Sequence, residues 1–253
     1  MIELHHLTKQ YGDHLAVDRL DLSVPAGELF GFLGPNGAGK TTTIKMCTGL
    51  LSPTAGSAAI GGHDVIHEGT AARALIGYVP DTPDVYTKLT GREFVRFMAD
   101  IYRVAPQQRD RRIEELLEML DLKDAADDLV ETYSHGMKQK TVLAGALVHD
   151  PKVLFLDEPT QGLDPRSARL VKDILRALCE RGATVFMSTH VLEIAERICD
   201  RVGIIYAGRL VALGTIEELR HGADKTLEDI FLEVTGSGEV AELVRFLNDA
   251  EAA

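Results

Sequence analysis

Long apolar runs are missing from this chain. Stretches such as Leu210–Leu213 fall far short of the ~20 residues a membrane-spanning helix needs, so any membrane role is expected to come through a partner. Basic charge is also scarce: Lys and Arg number 27 against 39 Asp and Glu, for a net charge of -12. Such a surface repels phosphate backbones and anionic lipid over long range, so nucleic-acid binding is not expected. Cys47, Cys179 and Cys199 are widely spaced and form no CxxC pair, which excludes a disulfide framework or a zinc site and leaves them as buried packing residues. The nine histidines show no metal-ligand spacing. The start Met1-Ile2-Glu3-Leu4 lacks the basic and apolar regions of a secretory signal, giving the expectation of a protein that stays in the cytosol. Internal repeats and low-complexity segments are absent.

What is present suits a folded domain with a sizeable core: 253 residues, 45% hydrophobic and 26% charged. Patterning predicts strands at Ile2–Leu7, Leu20–Val24 and Leu29–Leu33, then a glycine-rich loop and a helix from Lys40. A helical stretch follows. Thr90 and Glu93 form a capping box, and Phe94, Phe97, Met98 and Ile101 are spaced along one helical face, as are Ile113, Leu116, Leu117 and Leu120. Lys138–His149 reads as a helix and Val153–Leu156 as a buried strand of the kind found in parallel sheets. Asp164 as N-cap, with Pro165 behind it, starts the next helix, Thr184–Ser188 is the strand after it, and Ala207-Gly208 turns a hairpin. Gly236-Ser237-Gly238 is a flexible joint. Beyond it Val240, Leu243, Val244 and Leu247 are spaced for an amphipathic helix, docked on the body or fraying in isolation.

Gly34-Pro35-Asn36-Gly37-Ala38-Gly39-Lys40-Thr41 fits the P-loop pattern, between an apolar strand and a helix. Glycines let phosphate oxygens approach backbone N–H groups closely, beside a helix N-terminus with positive partial charge. Lys40 adds a full charge for the β- and γ-phosphates, and the Thr41 hydroxyl is placed to coordinate Mg²⁺; Thr42 is a neighbour without an assigned role. Asp157 and Glu158 end an apolar strand at the edge where ligands of open α/β sheets collect. Asp157 is the natural Mg²⁺ partner, and Glu158 is placed to orient and deprotonate an attacking water. His190 also follows a strand, within reach of a γ-phosphate. Ser134 to Gly136 immediately precede a helix, where Ser134 either caps that helix or, with the neighbouring N–H groups, caps a phosphate.

Taken in order, Tyr11, Gly34 to Thr41, Ser134-His135-Gly136, Val153 to Glu158, Gly162-Leu163-Asp164 and Ser188-Thr189-His190 resemble the ABC ATPase family over nearly the whole chain. The resemblance implies an α/β fold: a P-loop NTPase core of ABC ATPase type with an antiparallel β subdomain and a helical subdomain insert. It implies ATP and Mg²⁺ as cofactors, an aromatic contact from Tyr11 to adenine, a signature loop at Ser134 to Gly136, a D-loop at Asp164 and a switch histidine at His190. It also implies a head-to-tail dimer with a second copy, in which the signature of one copy closes over the ATP of the other, and a separate transmembrane permease subunit. The division expected is an ATPase domain over 1–235, with its helical subdomain at about 82–150, and a helical tail over 236–253.

Two departures stand out. Asp81 follows the strand Ile76-Gly77-Tyr78-Val79-Pro80 where most members carry Gln. An ionised Asp only accepts hydrogen bonds and repels a γ-phosphate unless Mg²⁺ or water intervenes, so Asp81 is expected at the nucleotide or the metal, slowing basal turnover. His135 and Met137 stand where the usual signature has Gly and Gln, so the backbone there accepts a side chain. Tyr133 to Lys140, Asp81 and Leu227 to Leu232 are similar to the bacterial multidrug-type exporter branch. Chromosome-type members need long heptad arms, absent between Thr41 and Ser134, and translation-type members resemble two linked copies. A soluble ABC ATPase of an assembly system remains the alternative to a transporter motor.

Overall fold

The computed structural model describes residues 1–220 and 225–236; the amphipathic stretch Val240–Leu247 lies outside them. Strands β1 (Ile2–Tyr11) and β2 (His14–Val24) alternate in burial, turning Ile2, Leu4 and Leu7 inward. The alternation slips between Leu4 and Leu7, where the register shifts and His6 takes φ 47°. The second strand starts at His14, six residues before the apolar pattern places it, because its first turns pair across a tight turn with the end of β1.

The chain continues through β3 (Leu29–Leu33), α1 (Lys40–Cys47), β4 (Ala55–Ile60), β5 (His63–Asp64), α2 (Gly69–Ala74) and β6 (Ile76–Val79). Three helices follow, α3 (Gly91–Ile101), α4 (Pro106–Met119) and α5 (His135–Leu147). Then come β7 (Val153–Asp157), α6 (Pro165–Glu180), β8 (Thr184–Thr189) and α7 (Leu192–Ile198). The hairpin β9 (Arg201–Tyr206) and β10 (Arg209–Gly214) precedes α8 (Ile216–Arg220) and α9 (Leu227–Thr235). Ala207 and Gly208 both take positive φ, as a two-residue hairpin turn of the primed type requires. Among the described residues no helix is long and apolar enough to cross a membrane.

Two sheets form. One is antiparallel, in the order β2-β1-β4-β5; the other is six-stranded, β10-β9-β3-β8-β7-β6, with only β10 antiparallel to its neighbour. The central strands β3, β7 and β8 are buried at every residue because both faces of the larger sheet are covered. Phe30, Phe32, Phe155 and Phe186 point to the face shared with the antiparallel sheet and α1, with ring centroids 5.2–5.4 Å apart. Leu29, Leu33, Leu154, Leu156, Val185 and Met187 point to the other, against α5, α6 and the helical insert.

The capping box of α3 forms as expected: Thr90 accepts from Glu93 N and Glu93 accepts from Thr90 N. The expected face of α3 is only half buried, however: Phe94 is in the core and Met98 packs against it partly buried. Phe94, Val95 and Ala99 are buried, while Phe97 and Ile101 are exposed, and Phe97 instead meets Tyr86 edge-on at 5.2 Å. The α5 helix starts at His135, three residues before its expected start, because Ser134 supplies the cap.

Candidate functional site

The register of the larger sheet decides where the site lies. β8 runs between β3 and β7, pairing Leu33 with Thr189 and Asp157 with Ser188, so three parallel strands end at one level. The glycine-rich loop leaves the first, Asp157 and Glu158 end the second, and His190 follows the third. This is the carboxyl edge where open α/β sheets bind ligands. A cavity of about 590 Å³ opens there, bounded by Pro35, Asn36, Gly37, Gly39, Lys40, Thr41 and Thr42 on one side. Asp81, Asp157, Glu158, Gln161 and His190 bound it on another, with Tyr11, His14 and Ala16 at the rim.

Glycine is required in the loop for two separate reasons. A Cβ on Gly34 would stand 2.4 Å from the carbonyl oxygen of Ile205, so the loop crosses β9 at a distance no side chain permits. Gly39, the residue before α1, has φ 111°, a left-handed conformation, and a Cβ there would meet Ala16 O at 2.5 Å. Ala38 N bonds to Pro35 O at 3.2 Å, closing the loop beneath the helix end. Lys40 is buried and its Nζ donates to the carbonyls of Gly34 at 2.7 Å and Pro35 at 3.2 Å. It lies 3.6 Å from Glu158 Oε1.

Asp157 is 1% exposed, and among the described residues only one of its carboxylate oxygens is satisfied: Oδ1 accepts the Ser188 hydroxyl, while Oδ2 is buried without a hydrogen-bond partner. An ionised oxygen without a donor is costly in a protein interior. Glu158 takes φ 50°, an uncommon value for a residue with a side chain, and its N–H donates to Ser188 Oγ and Ser188 O, each at 3.2 Å. His190 Nδ1 is 2.9 Å from Glu158 Oε1, and the His190 N–H donates to Oε2 at 3.4 Å. Burial, with the carboxylates of Asp157 and Asp81 close by, pushes the Tyr78 hydroxyl well above its ordinary range. Asp81 accepts from Thr82 N at 2.8 Å and stays exposed.

The predicted set therefore divides. Tyr11, the P-loop, Asp81, Asp157, Glu158 and His190 gather at one cavity; Gly34 and Ala38 shape its loop from behind. Ser134, Gly136 and Asp164 do not line it. Ser134 caps its own helix, accepting from Met137 N at 3.3 Å, and His135 and Gly136 lie within α5 rather than ahead of it. Asp164 caps α6, accepting from Arg166 N and Ser167 N at 3.0 Å and from the Ser167 hydroxyl, which hold its carboxyl below the usual range. Ser188 and Gln161 had no assigned role from sequence. Their places depend on strand register and on a loop turning back, neither visible in local pattern.

A family model described as "ABC transporter" matches residues 17–161, more than half of the chain. The chain belongs to the ABC transporter family. It is similar to ATP-binding cassettes over most of its length. It is 38% identical over 240 residues to the probable multidrug ABC transporter ATP-binding protein YbhF of Escherichia coli, with 92% of this chain and 41% of that protein covered. Against the daunorubicin resistance ATP-binding protein DrrA3 of Streptomyces coeruleorubidus it is 41% identical over 228 residues, covering 90% of this chain and 72% of that one. The cassette thus spans well under half of the first relative and most of the second. The dimeric structure of a post-hydrolysis state of the ATP-binding cassette MJ0796, bound to ADP and Pi, superposes with a TM-score of 0.78 at 27% identity, covering 85% of this chain and 98% of that one.

Proposed function

We propose that this cassette binds Mg-ATP in the cavity at the strand ends and hydrolyses it as half of a head-to-tail pair with a second copy, driving a separate transmembrane permease subunit that exports its substrate. The observation that carries this reading is the convergence of Lys40, Asp157, Glu158 and His190 on one cavity, with Asp157 Oδ2 buried and unpaired. That oxygen, with the Thr41 hydroxyl on the same cavity, suits a hard divalent cation, and Mg²⁺ would be held by these two residues. Bound there, the ion neutralises charge on the β- and γ-phosphate oxygens. Asp81, at the cavity margin, is a further oxygen donor for the ion or the nucleotide.

The loop N–H groups of Gly37, Ala38, Gly39 and Lys40 and the end of α1 take the phosphates, and Lys40 shifts from its carbonyl partners to the β- and γ-oxygens. Glu158 accepts the proton of the attacking water, and His190 holds the Glu158 carboxylate and bonds the γ-phosphate. Half-exposed Tyr11 at the rim stacks on adenine. Ser134 and Gly136 sit outside this chain's own cavity, which supports their use on the partner copy's phosphate, with Asp164 beside that interface. The domain runs over 1–235, with a helical subdomain at about 82–150 and a tail from 236.

Tyr86, Phe97 and Ile101 form an exposed apolar cluster on that insert, supporting a docking face for the permease at the inner side of the membrane. Export is supported by the names of YbhF and DrrA3, which refer to multidrug transport and drug resistance. The test is ATP hydrolysis by purified protein with and without Mg²⁺, then ATP-driven transport after reconstitution with the membrane subunit encoded beside it. Metal-dependent hydrolysis lost in Lys40→Ala supports the reading. Hydrolysis that survives that substitution rejects it.

A further inference from the structure

The N-terminal end of α5 stays exposed and is met along one side, at His135 and Gly136, by a loop of its own chain, the segment leading from Glu158 into α6. A Cβ on Gly162 would stand 2.9 Å from Cδ2 and 3.1 Å from Nε2 of His135, so the imidazole lies directly on that glycine. The neighbouring pair repeats the contact: a Cβ on Gly136 would meet Leu163 Cδ2 at 3.4 Å. Gly162 has φ 70°, so its conformation and the ring above it both select against a side chain. Gln139 lies four residues beyond His135 on the same face; it is buried, and neither amide atom has a partner among the described residues. Gln139 therefore gives the loop no hydrogen bond, and packing by His135 and Leu163 holds the face to the loop.

The loop is tied at both ends. Gln161 N donates to Glu158 O at 3.1 Å, so its first turn is fixed to the residue at the cavity. At the far end Arg166 lies 3.4 Å from Asp121, which follows α4, and the Lys140 ammonium of α5 bonds Asp121 O at 3.3 Å. A glycine in place of His135 would leave the Gly162 surface without this contact.

We propose that His135 is a positioning residue: its ring locks the Gly162–Leu163 loop to the start of α5, so the helix end offered to the partner copy's nucleotide moves together with the segment carrying Glu158. The inference rests on the paired arrangement under Proposed function. Its consequence is mechanical coupling between the two sites. Closure of α5 over one nucleotide adjusts the Glu158 that serves the other, and ATP dependence of hydrolysis becomes cooperative.

The experiment uses the full chain and compares wild type, His135→Ala, His135→Phe, Gly162→Ala and the double variant His135→Ala/Gly162→Ala. Steady-state hydrolysis is measured across ATP concentration, and ATP-dependent pairing of each protein is followed in a Glu158→Gln background by size exclusion. His135→Ala is expected to lower kcat by roughly ten- to a hundredfold, the scale of a small misplacement of reacting groups. It should also bring the Hill coefficient to 1, with nucleotide affinity of the single copy unchanged. Phe restores both values because a flat ring is what the glycine surface accepts. Gly162→Ala is expected to do less harm when His135 is already Ala than when the ring is present. Wild-type kcat and cooperativity in His135→Ala, failure of Phe to rescue, or strictly independent effects in the double variant would each overturn the proposal. If the Glu158→Gln protein with His135 intact forms no ATP-dependent pair, the paired reading itself fails. If it pairs and the variants show no coupling, only the role of His135 is lost.

Discussion

His190 Nδ1 stands 2.9 Å from Glu158 Oε1, an oxygen that also lies 3.6 Å from Lys40 Nζ. One carboxylate thus faces a buried cation and an imidazole, and the same Lys40 ammonium donates to two loop carbonyls.

Glu158→Gln retains the shape and removes the carboxylate that the proposed function uses as the base. Hydrolysis should fall about 10²–10⁴-fold, the usual worth of general-base catalysis, or roughly 3 to 5 kcal/mol of barrier. ATP should still bind, and the protein should accumulate as a nucleotide-held pair. Turnover and size-exclusion profiles in ATP check this; wild-type turnover would place the base elsewhere.

Ser188 serves two site residues at once, donating to Asp157 Oδ1 and accepting from Glu158 N. Ser188→Ala leaves both Asp157 oxygens without a donor, and hydrogen bonds to charged groups contribute about 1.5–3 kcal/mol. A carboxylate no longer oriented holds a cation less well. The Mg²⁺ concentration for half-maximal hydrolysis should rise about tenfold or more on that energy, with ATP binding in the absence of metal little changed. An unaltered Mg²⁺ titration would remove Ser188 from the site.

Much of this cavity was legible in the sequence because its parts are local: a strand running into Gly34–Thr41, another ending in Asp157-Glu158. Each is a strand end whose chemistry follows from a few adjacent residues. Ser188 was not legible in the same way, since its role comes from lying opposite Asp157 across a parallel pair, and one sequence does not display register. The α3 face was misjudged for a related reason. Phe97 and Ile101 fit helical spacing with Phe94, but the buried side runs through Val95 and small Ala99, and the larger apolar residues drew the pattern round the helix. The fit of His135 to Gly162 joins the first residue of α5 to a loop 27 positions further on and is a property of packing alone.

Asp81 sits at the cavity margin, exposed and bonded to Thr82 N. A carboxylate beside Asp157 and Glu158 adds negative charge where a γ-phosphate must come, with repulsion between unit charges of about 4 kcal/mol at 4 Å and an effective dielectric of 20 as an upper scale. Asp81→Gln should therefore raise the basal ATPase rate of the isolated protein several-fold, on the order of 1 kcal/mol. The stimulation given by the membrane partner should diminish. Equal rates for the two proteins, alone and with the partner, would reject a role for Asp81 in restraining turnover.

His149 gives the fold an acid-sensitive joint away from the cavity. Its ring stacks on Tyr102 with centroids 3.6 Å apart and planes 6° from parallel, and Nε2 donates to Ile76 O at 3.0 Å, tying the end of α3 and the loop after α5 to β6. A carbonyl only accepts, so Nε2 carries the proton and Nδ1, buried without a partner among the described residues, is bare. Burial brings the His149 pKa down to about 4, with Arg112 pushing the same way against the bond to Ile76. The unfolded chain takes up this proton near pH 6.5, whereas the folded chain resists until about pH 4. Between those values the unfolded state binds more protons, so stability falls as pH falls and the loss levels off below the lower one. His149→Gln keeps a donor for Ile76 O but cannot titrate. Carboxylates common to both proteins cancel in the comparison, so the difference in Tm between wild type and variant should drift in the variant's favour from pH 7 down to pH 4. Parallel Tm curves across that range would mean that the ring takes up its proton at the same pH in the folded and unfolded protein, with burial leaving its titration unshifted.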